Sequence, residues 1–448
     1  MSTTWALHTD LYQLTMLASY FHQGRHEEPA VCELFVRRLP RNRRFLVVAG
    51  LARALDYLEG LRFTDAQIES LKDIPGMRSA MSKGFVEYLR AFRFRGDVFA
   101  MPEGTVAFEN EPMLRVEAAL GEAQLVETFL LSALNHQSMV ASKAARVVLA
   151  LQGRPALEFG SRRTHPEAAV DVARAAYIAG FDATSNVEAF FEFGVPARGT
   201  MAHMYIMGAA SEREAFAHYH GLFGASTYLV DTYDTIEGVK AALETAGSGV
   251  SSVRLDSGDL AALSRQVRAL LKERGRSDVK IVLSSDLDEY EIARLIRDGD
   301  FDVAGVGTRV ATSDDAPSLG GVYKLVQIGN RPVAKLSESK VTYPGAHQVY
   351  RHEKDGRFAF DHLGLVKEPS YEFVSTTPLL VPVMTGGSVT HKETLATMRA
   401  RCAAQIDKLP DALRDVSRTD KHESLYEVRP SEQLKKMLGA IQRDHKTD

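Results

Sequence analysis

Residues 251–309 read SSVRLDSGDLAALSRQVRALLKERGRSDVKIVLSSDLDEYEIARLIRDGDFDVAGVGTR. Three short apolar runs in this stretch each end in a polar or glycine-rich turn, and a pattern of helical period follows each of the first two. Strands that alternate with helices form parallel sheets through right-handed crossovers. The stretch therefore predicts consecutive β/α units.

The same rhythm begins near residue 155. Seven apolar runs with polar ends follow one another: ALEFG-SRR (156–163), AGFDA-TSN (179–186), ARGTMAH (197–203), STYLV-DTYD (226–234), SSVRL-DSGD (251–259), VKIVL-SSDLD (279–288) and FDVAG-VGTR (301–309). Seven strand candidates in about 155 residues predict a barrel, in which the loops after the strands form an active site on one face. An open, doubly wound sheet is the structural alternative.

The rest of the chain has a different pattern. Residues 1–150 mix helix and strand signals, and residues 321–387 alternate like antiparallel hairpins that return to the N-terminal part. We therefore predict an α/β protein of two domains. The first is built from residues 1–150 plus about 340–448, and the second is an α/β barrel or near-barrel over residues 151–340.

Composition excludes several classes of protein. The 448 residues are 45% hydrophobic and 25% charged, which is typical of a globular protein, and no apolar run approaches the length of a membrane span. With 54 Lys+Arg against 58 Asp+Glu the net charge is −4, which argues against a broad nucleic-acid surface. The two cysteines, Cys32 and Cys402, exclude a disulfide scaffold and favour a cytoplasmic protein.

The last of the seven strand ends is a candidate phosphate site. Gly305 and Gly307 in GVGTR let backbone N–H groups approach an anion closely, and Thr308 and Arg309 are suited to complete the cradle. A Gly-x-Gly turn is common, so this motif has little specificity by itself. The chain has no GxxxxGK[ST] loop, so any nucleoside triphosphate binds in another way.

Two further strand ends carry residues suited to catalysis. Arg254 and Asp256 lie on the same side of a strand, where the arginine suits a phosphate and the carboxylate suits ribose hydroxyls or Mg²⁺; a plain salt bridge is the alternative. His203 follows a strand end and is a candidate nucleophile or acid, although a lone histidine is more often structural. A carboxylate such as Asp231 on its Nδ1 would leave Nε2 free to react.

Nine segments together resemble the nicotinate phosphoribosyltransferase family. They occur in the family's order over about residues 9–350: TDLYQLTM (9–16), EFGSRR (158–163), ATSN (183–186), GTMAH (199–203), VDTYDT (230–235), RLDSGD (254–259), SSDLDE (284–289), GVGTR (305–309) and KLSESKVTYPG (335–345). The resemblance implies the reaction of nicotinate with 5-phosphoribosyl 1-pyrophosphate to give nicotinate mononucleotide and pyrophosphate, coupled to ATP hydrolysis, in NAD salvage. It also implies an irregular, TIM-like α/β barrel with a second α/β sandwich domain, Mg²⁺ and a head-to-tail homodimer with shared active sites. From the charge balance and the apolar runs given above, we expect no nucleic-acid and no membrane partner. A nicotinamide phosphoribosyltransferase and a catalytically silent protein that binds NAD precursors are the alternatives.

The resemblance also implies roles for single residues. His203 matches the histidine that ATP phosphorylates, and Asp231 matches the carboxylate that holds it. Phe159 matches the aromatic residue that stacks on the pyridine ring, and Tyr12 matches a tyrosine that stacks from the other subunit. One departure is visible, because Met204 follows the motif histidine where many members have a small polar residue.

Other matched residues contact the substrates. Arg162 and Arg163 match the region that meets the base carboxylate and the phosphates, and Thr184 and Ser185 match the base-pocket loop. Arg254 and Asp256 match the residues that contact phosphate and ribose. The residues that match the 5′-phosphate cradle are Ser285, Asp286, Gly305, Gly307, Thr308 and Arg309.

Overall fold

A computed structural model describes residues 4–337, 340–368, 376–419 and 425–447. Positions 338–339 of the KLSESKVTYPG motif lie outside the described residues. The chain divides into two units. Unit 1 comprises residues 1–139, 318–413 and 421–448, and unit 2 comprises residues 140–317 and 414–420.

The described residues form strands and helices throughout both units. The strands are β1 (Pro29–Val36), β2 (Leu46–Val47), β3 (Asp97–Ala100), β4 (Val106–Ala107), β5 (Pro112–Ala119), β6 (Ala156–Glu158), β7 (Ala183–Thr184), β8 (Ser226–Leu229), β9 (Val250–Leu255), β10 (Lys280–Ser285), β11 (Val303–Val306), β12 (Gly321–Ile328), β13 (Arg331–Pro332), β14 (His347–Lys354), β15 (Arg357–Leu365), β16 (Thr376–Pro378), β17 (Val381–Thr385), β18 (Ser388–Val389) and β19 (Val428–Pro430). The helices are α1 (Leu11–His22), α2 (Leu51–Gly60), α3 (Asp65–Ser70), α4 (Pro75–Arg78), α5 (Lys83–Ala91), α6 (Leu120–Leu125), α7 (Glu127–Leu151), α8 (Pro166–Ile178), α9 (Val187–Phe193), α10 (His203–Met207), α11 (Glu212–Phe223), α12 (Thr235–Ala246), α13 (Leu260–Glu273), α14 (Glu289–Asp298), α15 (Thr308–Ala311), α16 (Leu395–Asp407), α17 (Asp411–Arg414) and α18 (Glu432–Thr447). None of the helices in the described ranges is long and apolar enough to cross a membrane.

Unit 1 is built on antiparallel sheets. Its largest sheet has the order β13-β12-β1-β5-β3-β17-β18, and a four-stranded sheet has the order β16-β14-β15-β19. Strand β12 pairs antiparallel with β1, so the chain returns to its N-terminal part as the alternating pattern predicts. Along β1 seven of the eight residues are buried, which places the core of this unit on both faces of the sheet.

Unit 2 contains a curled, all-parallel sheet of six strands in the order β7-β6-β11-β10-β9-β8. Helices connect these strands, so the predicted α/β class and the parallel β/α units are confirmed. One of the seven predicted strands, the third in chain order, is wrong, because residues 197–203 make only one isolated bridge, between Ala197 and Thr184. Pro196 has no N–H to donate and Gly199 favours irregular backbone, so a regular ladder does not continue here.

A buried ionic cluster ties α7 to α14 within unit 2. Lys143 is fully buried, and its Nζ lies 2.5 Å from Glu289 Oε2 and 3.0 Å from Asp315 Oδ1. Arg146 Nε donates to Glu289 Oε1 at 2.8 Å. Burial tends to raise the pKa of Glu289, but the charges and hydrogen bonds of Lys143 and Arg146 prevail and lower it. Glu289 is therefore ionised inside the unit.

We expect Lys143→Met to destabilise the protein by about 3–5 kcal/mol, because it removes one of the two cations that face the buried Glu289 carboxylate and leaves Oε2 without its charged partner. Circular dichroism during urea unfolding measures the change. The control is Lys240→Met, since Lys240 pairs with Glu237 at the surface and such pairs contribute at most about 1 kcal/mol. Equal effects of the two substitutions would contradict a stabilising role for the cluster.

Candidate active site

The carboxyl ends of the parallel strands in unit 2 bring several predicted residues together. Phe159 follows β6, and Arg254 lies near the end of β9. The guanidinium carbon of Arg254 is 5.4 Å from the centre of the Phe159 ring. Gly305 in β11 lies under the same ring, since a Cβ placed there would come within 2.5 Å of Phe159 Cε2. Three of the seven predicted strand ends thus meet at one edge of the sheet.

Arg254 and Asp256 form the salt bridge that the sequence left as an alternative, and Ser284 joins them. Arg254 donates through Nε to Ser284 Oγ at 2.7 Å and through Nη2 to Asp256 Oδ1 at 2.8 Å. Ser284 in turn donates to Asp256. Burial favours a higher pKa for Asp256, but these hydrogen bonds and the charges of Arg254 and His203 outweigh it and lower the pKa. Asp256 is therefore a carboxylate at neutral pH, held in one orientation.

His203 begins α10 and reaches this salt bridge. Its Nε2 lies 3.7 Å from Asp256 Oδ2, and its Nδ1 lies 3.1 Å from Thr232 Oγ1. The side chain is 39% exposed, so it is accessible to a co-substrate. At 3.7 Å the contact with Asp256 is electrostatic rather than a hydrogen bond.

Asp231 has a different partner from the one expected. Its Oδ2 accepts hydrogen bonds from the Asp256 N–H at 2.9 Å and from Ser257 Oγ at 2.6 Å, so it fixes the loop after β9. The neighbouring Thr232 contacts His203 instead. Oδ1 of Asp231 is buried and has no hydrogen-bond partner among the described residues.

The end of β6 carries a buried carboxylate that orders the loop after β7. Thr184 is fully buried, and its hydroxyl donates to Glu158 Oε2 at 2.6 Å. Glu158 is 1% exposed, and it also accepts from the Gly160 N–H. Burial raises the pKa of Glu158, although these two hydrogen bonds act to lower it. The Thr184 hydroxyl is therefore used internally, whereas Ser185 is exposed.

Arg162 and Arg163 are both exposed, in a single 3₁₀ turn after β6. Tyr12 lies in unit 1 on α1 and is 49% exposed. The structure thus places these three residues at surfaces, where a substrate or a second chain is able to reach them.

The predicted phosphate cradle lies at the ends of β10 and β11. Gly307 precedes α15, and Thr308 is its first residue. Arg309 is held in a salt bridge by Asp314. Ser285 has a φ of 140°, a backbone conformation that residues other than glycine rarely adopt. Both Ser285 and Asp286 are exposed. A residue with a strained backbone at the carboxyl end of a strand is typical of a functional turn.

The comparisons with known proteins agree with one another. The family model of the nicotinate phosphoribosyltransferase (NAPRTase) N-terminal domain matches residues 7–135. A nicotinate phosphoribosyltransferase of Mycobacterium tuberculosis is 44% identical over 423 residues, which cover 92% of this chain and 89% of the relative. The chain belongs to the nicotinate phosphoribosyltransferase family. A nicotinate phosphoribosyltransferase of Bacillus subtilis is 44% identical over 81% of this chain and 76% of its own length. The crystal structure of human nicotinic acid phosphoribosyltransferase matches with a TM-score of 0.83 and 29% identity, covering 97% of this chain and 99% of the human one.

Membership of the nicotinate phosphoribosyltransferase family confirms the family and the enzyme class that the sequence predicts. Sequence reasoning gave no role to Glu158, Ser284 or Thr232, although all three lie within the matched motifs. A carboxylate inside the apolar run ALEFG was a signal for Glu158, because a buried charge needs dedicated partners. The partners of Ser284 in β10 and of Thr232 in the loop after β8 depend on how neighbouring strand ends meet in three dimensions, for which the sequence carries no signal.

We expect Gly305→Ala to raise the KM for the aromatic substrate of this family about 10-fold, since displacement of a positioning group by 1 Å costs up to roughly 10²-fold. The new Cβ would lie 2.5 Å from the Phe159 ring and would push it out of place. Steady-state kinetics measures the change. Gly320→Ala is the control, because a Cβ there meets nothing within 4 Å. An unchanged KM in Gly305→Ala would contradict a role of the ring in base binding.

Proposed function

We propose that this chain converts nicotinate and 5-phosphoribosyl 1-pyrophosphate to nicotinate mononucleotide and pyrophosphate in NAD salvage, with ATP hydrolysis as the driving reaction. The observation that carries the proposal is the cluster of Phe159, Arg254, Asp256 and His203 at one edge of the sheet. Its members are an aromatic surface for a pyridine ring, a cation for a phosphate, a carboxylate for ribose hydroxyls and an accessible histidine. The relatives, which are nicotinate phosphoribosyltransferases by name, support the same reaction.

In the glycosyl transfer, the bond between ribose C1 and the pyrophosphate oxygen breaks and a bond between C1 and the nicotinate nitrogen forms. Departure of pyrophosphate leaves an oxocarbenium-like centre that needs no protein nucleophile. The contribution of the protein is to hold the ring nitrogen against C1 and to offset the charge of the leaving group. We propose that Phe159 orients the ring, that Arg254 binds the phosphates and that Asp256, which is ionised, binds the ribose hydroxyls.

ATP coupling is proposed to use His203. Thr232 occupies the Nδ1 side of the ring, which leaves Nε2 as the nitrogen that attacks the γ-phosphorus of ATP. The N–P bond forms as the bond from the γ-phosphorus to ADP breaks, and ADP leaves. Water later cleaves the N–P bond and releases phosphate, which restores the imidazole. A phosphoryl group on the imidazole adds about −1.5 to −2 charges near neutral pH. Because Nε2 lies 3.7 Å from Asp256 Oδ2, the added negative charge would repel that carboxylate and attract the guanidinium group of Arg254. We propose that this rearrangement tightens the binding of phosphoribosyl pyrophosphate, as an electrostatic switch.

Mg²⁺ is proposed to be the cation that accompanies the pyrophosphate group. Among the described residues no cluster of three or more His, Cys, Asp or Glu side chains is arranged to hold a metal ion. In sites of this kind Mg²⁺ is usually bound through one or two carboxylates together with substrate phosphates. Asp256 and Asp286 would hold it at the strand ends, where its charge would offset that of the pyrophosphate.

A head-to-tail homodimer is proposed from the surface of unit 2. Nine large apolar or aromatic side chains between residues 187 and 233 are exposed: Val187, Phe190, Phe191, Met204, Tyr205, Met207, Leu222, Phe223 and Tyr233. We propose that they contribute to a contiguous apolar patch, the kind of surface that marks protein interfaces. The family resemblance gives a second copy of the chain as the occupant, and it assigns Tyr12 to the neighbouring site.

The finer description of the fold is also a proposal. Residues 197–200 contact both edge strands of the parallel sheet, through the Ala197–Thr184 bridge on β7 and a hydrogen bond from Thr200 Oγ1 to the Thr227 carbonyl of β8 at 3.2 Å. These contacts support an irregular TIM-like barrel closed by this segment in unit 2. For unit 1 we propose an α/β sandwich domain. Cys32 and Cys402 are free and buried, which supports a cytoplasmic location.

The test of the proposed function is pyrophosphate release by the purified protein. We expect release that requires nicotinate and phosphoribosyl pyrophosphate together and increases when ATP is added. A protein that binds nicotinate without any release of pyrophosphate would be a silent NAD-precursor-binding protein, and the proposal would be wrong.

A further inference from the structure

A cavity of about 430 Å³ opens beside Phe159 within unit 2. Leu157, Val282 and Val303 provide apolar lining. Its polar or charged side chains come from Asp182, Arg198, Thr200, Thr227 and Ser252. An apolar cavity next to an aromatic ring, with a small number of polar groups, is the usual form of a site for a small aromatic molecule.

Most of these polar groups already have partners inside the protein. Thr200 Oγ1 donates to the Thr227 carbonyl, and the hydroxyls of Thr227 and Ser252 pair at 2.6 Å. Asp182 Oδ2 accepts the Ala156 N–H at 2.9 Å. Among the described residues that line the cavity, Arg198 is the one that carries a positive charge.

The backbone of Arg198 is held firmly in place. Its N–H donates to the Thr184 carbonyl at 2.8 Å, and the Thr184 N–H donates to the Pro196 carbonyl at 2.9 Å. Since Thr184 is itself fully buried, the Cα of Arg198 has a fixed position beside β7. Its side chain is exposed to solvent, so the guanidinium group is accessible to an entering ligand.

The earlier candidates for binding the carboxylate are placed less favourably. Arg162 and Arg163 are exposed on the turn after β6 and are not part of the cavity lining. The Thr184 hydroxyl is directed to Glu158. Arg162 and Arg163 therefore do not provide the cavity with a positive charge, whereas Arg198 does.

We propose that Arg198 is a specificity-determining residue that binds the carboxylate of nicotinate and so selects the acid over nicotinamide. This inference rests on the proposed function. A guanidinium group forms two parallel, charge-assisted hydrogen bonds with a carboxylate, whereas a neutral amide offers one acceptor and no charge. A site that uses such a pair loses affinity for the acid when the cation is removed, while its weak binding of the amide changes little.

The experiment compares Arg198→Ala and Arg198→Lys with the wild type. Steady-state kinetics with nicotinate and with nicotinamide, at saturating phosphoribosyl pyrophosphate and ATP, is combined with calorimetric binding of nicotinate alone. We expect the KM and the Kd for nicotinate to rise roughly 10- to 100-fold in Arg198→Ala, and Arg198→Lys to restore part of the loss. The Kd for nicotinamide, measured by calorimetry, and the KM for phosphoribosyl pyrophosphate should stay within about 2-fold of wild type, a change of at most ~0.4 kcal/mol. The control is Arg274→Ala, an exposed arginine after α13.

Two results would overturn the inference. The first is a wild-type Kd and KM for nicotinate in Arg198→Ala. The second is an equal loss of affinity for phosphoribosyl pyrophosphate, which would assign Arg198 to the phosphoribosyl end. Failure of the proposed function is distinguishable, because a wild-type protein that binds nicotinate without turnover would refute that function while the binding measurement still tests Arg198.

Discussion

Asp256→Asn is expected to lower kcat/KM for nicotinate roughly 10²- to 10³-fold, the loss typical of removing one preorganised electrostatic group from a reaction centre. Asp256 accepts hydrogen bonds from Arg254 and Ser284 on Oδ1, and Oδ2 faces His203. An asparagine has nearly the same shape but no charge, and it can present an N–H₂ group where the carboxylate had an acceptor. The salt bridge to Arg254, the ribose contact and the proposed Mg²⁺ contact would all weaken together.

The control for this prediction is Asp278→Asn. Asp278 forms a salt bridge with Arg276 at 2.9 Å, as Asp256 does with Arg254, but it lies before β10 and away from the carboxyl ends of the strands. We expect the kcat/KM of Asp278→Asn to match that of the wild type. The measurement is initial rates over a range of both substrates. If Asp256→Asn retained wild-type kcat/KM, the cluster at the strand ends would not be the reaction centre.

His203→Ala is expected to abolish both the transfer of phosphate from ATP to the protein and the effect of ATP on substrate binding. In the wild type, ATP should lower the KM for phosphoribosyl pyrophosphate roughly 5- to 150-fold, the usual range of coupling between two binding events. Without the imidazole no phosphoryl group is held beside Asp256, so the KM should be the same with and without ATP. Incubation with γ-labelled ATP, followed by alkaline electrophoresis, detects the acid-labile phosphohistidine.

His218→Ala is the matched control, because His218 is an exposed histidine on α11 in the same unit. It should retain both the label and the effect of ATP. If ATP still lowered the KM for phosphoribosyl pyrophosphate in His203→Ala, the switch through this histidine would be wrong, whatever the level of residual activity.

The positions of the strands that carry the site could be predicted from sequence, because each β/α unit has its own apolar run and polar end. Six of the seven predicted strands are present, from ALEFG to FDVAG. The exception, residues 197–203, has the apolar and polar alternation of a strand but contains Gly199 and follows Pro196. Because this segment is irregular, Arg198 lines the cavity. The strand that the sequence pattern predicts gave no indication of this position.

The partners of individual side chains could not be predicted to the same degree. The choice between Asp231 and its neighbour Thr232 as the contact of His203 depends on the course of the loop after β9, since the Asp256 N–H and Ser257 compete for the carboxylate. The burial of Glu158, and its use of the Thr184 hydroxyl, is likewise a property of the folded strand ends. Pattern and spacing locate such residues, whereas their pairing depends on three-dimensional geometry.

The measurement that tests the central claim most directly is product analysis by mass spectrometry. The purified protein is incubated with phosphoribosyl pyrophosphate and, in parallel, with nicotinate, nicotinamide or quinolinate, each with and without ATP. We predict nicotinate mononucleotide from nicotinate, formed faster with ATP, and little or no product from the other two substrates. Preferential formation of nicotinamide mononucleotide, or of nicotinate mononucleotide with CO₂ from quinolinate, would contradict the account.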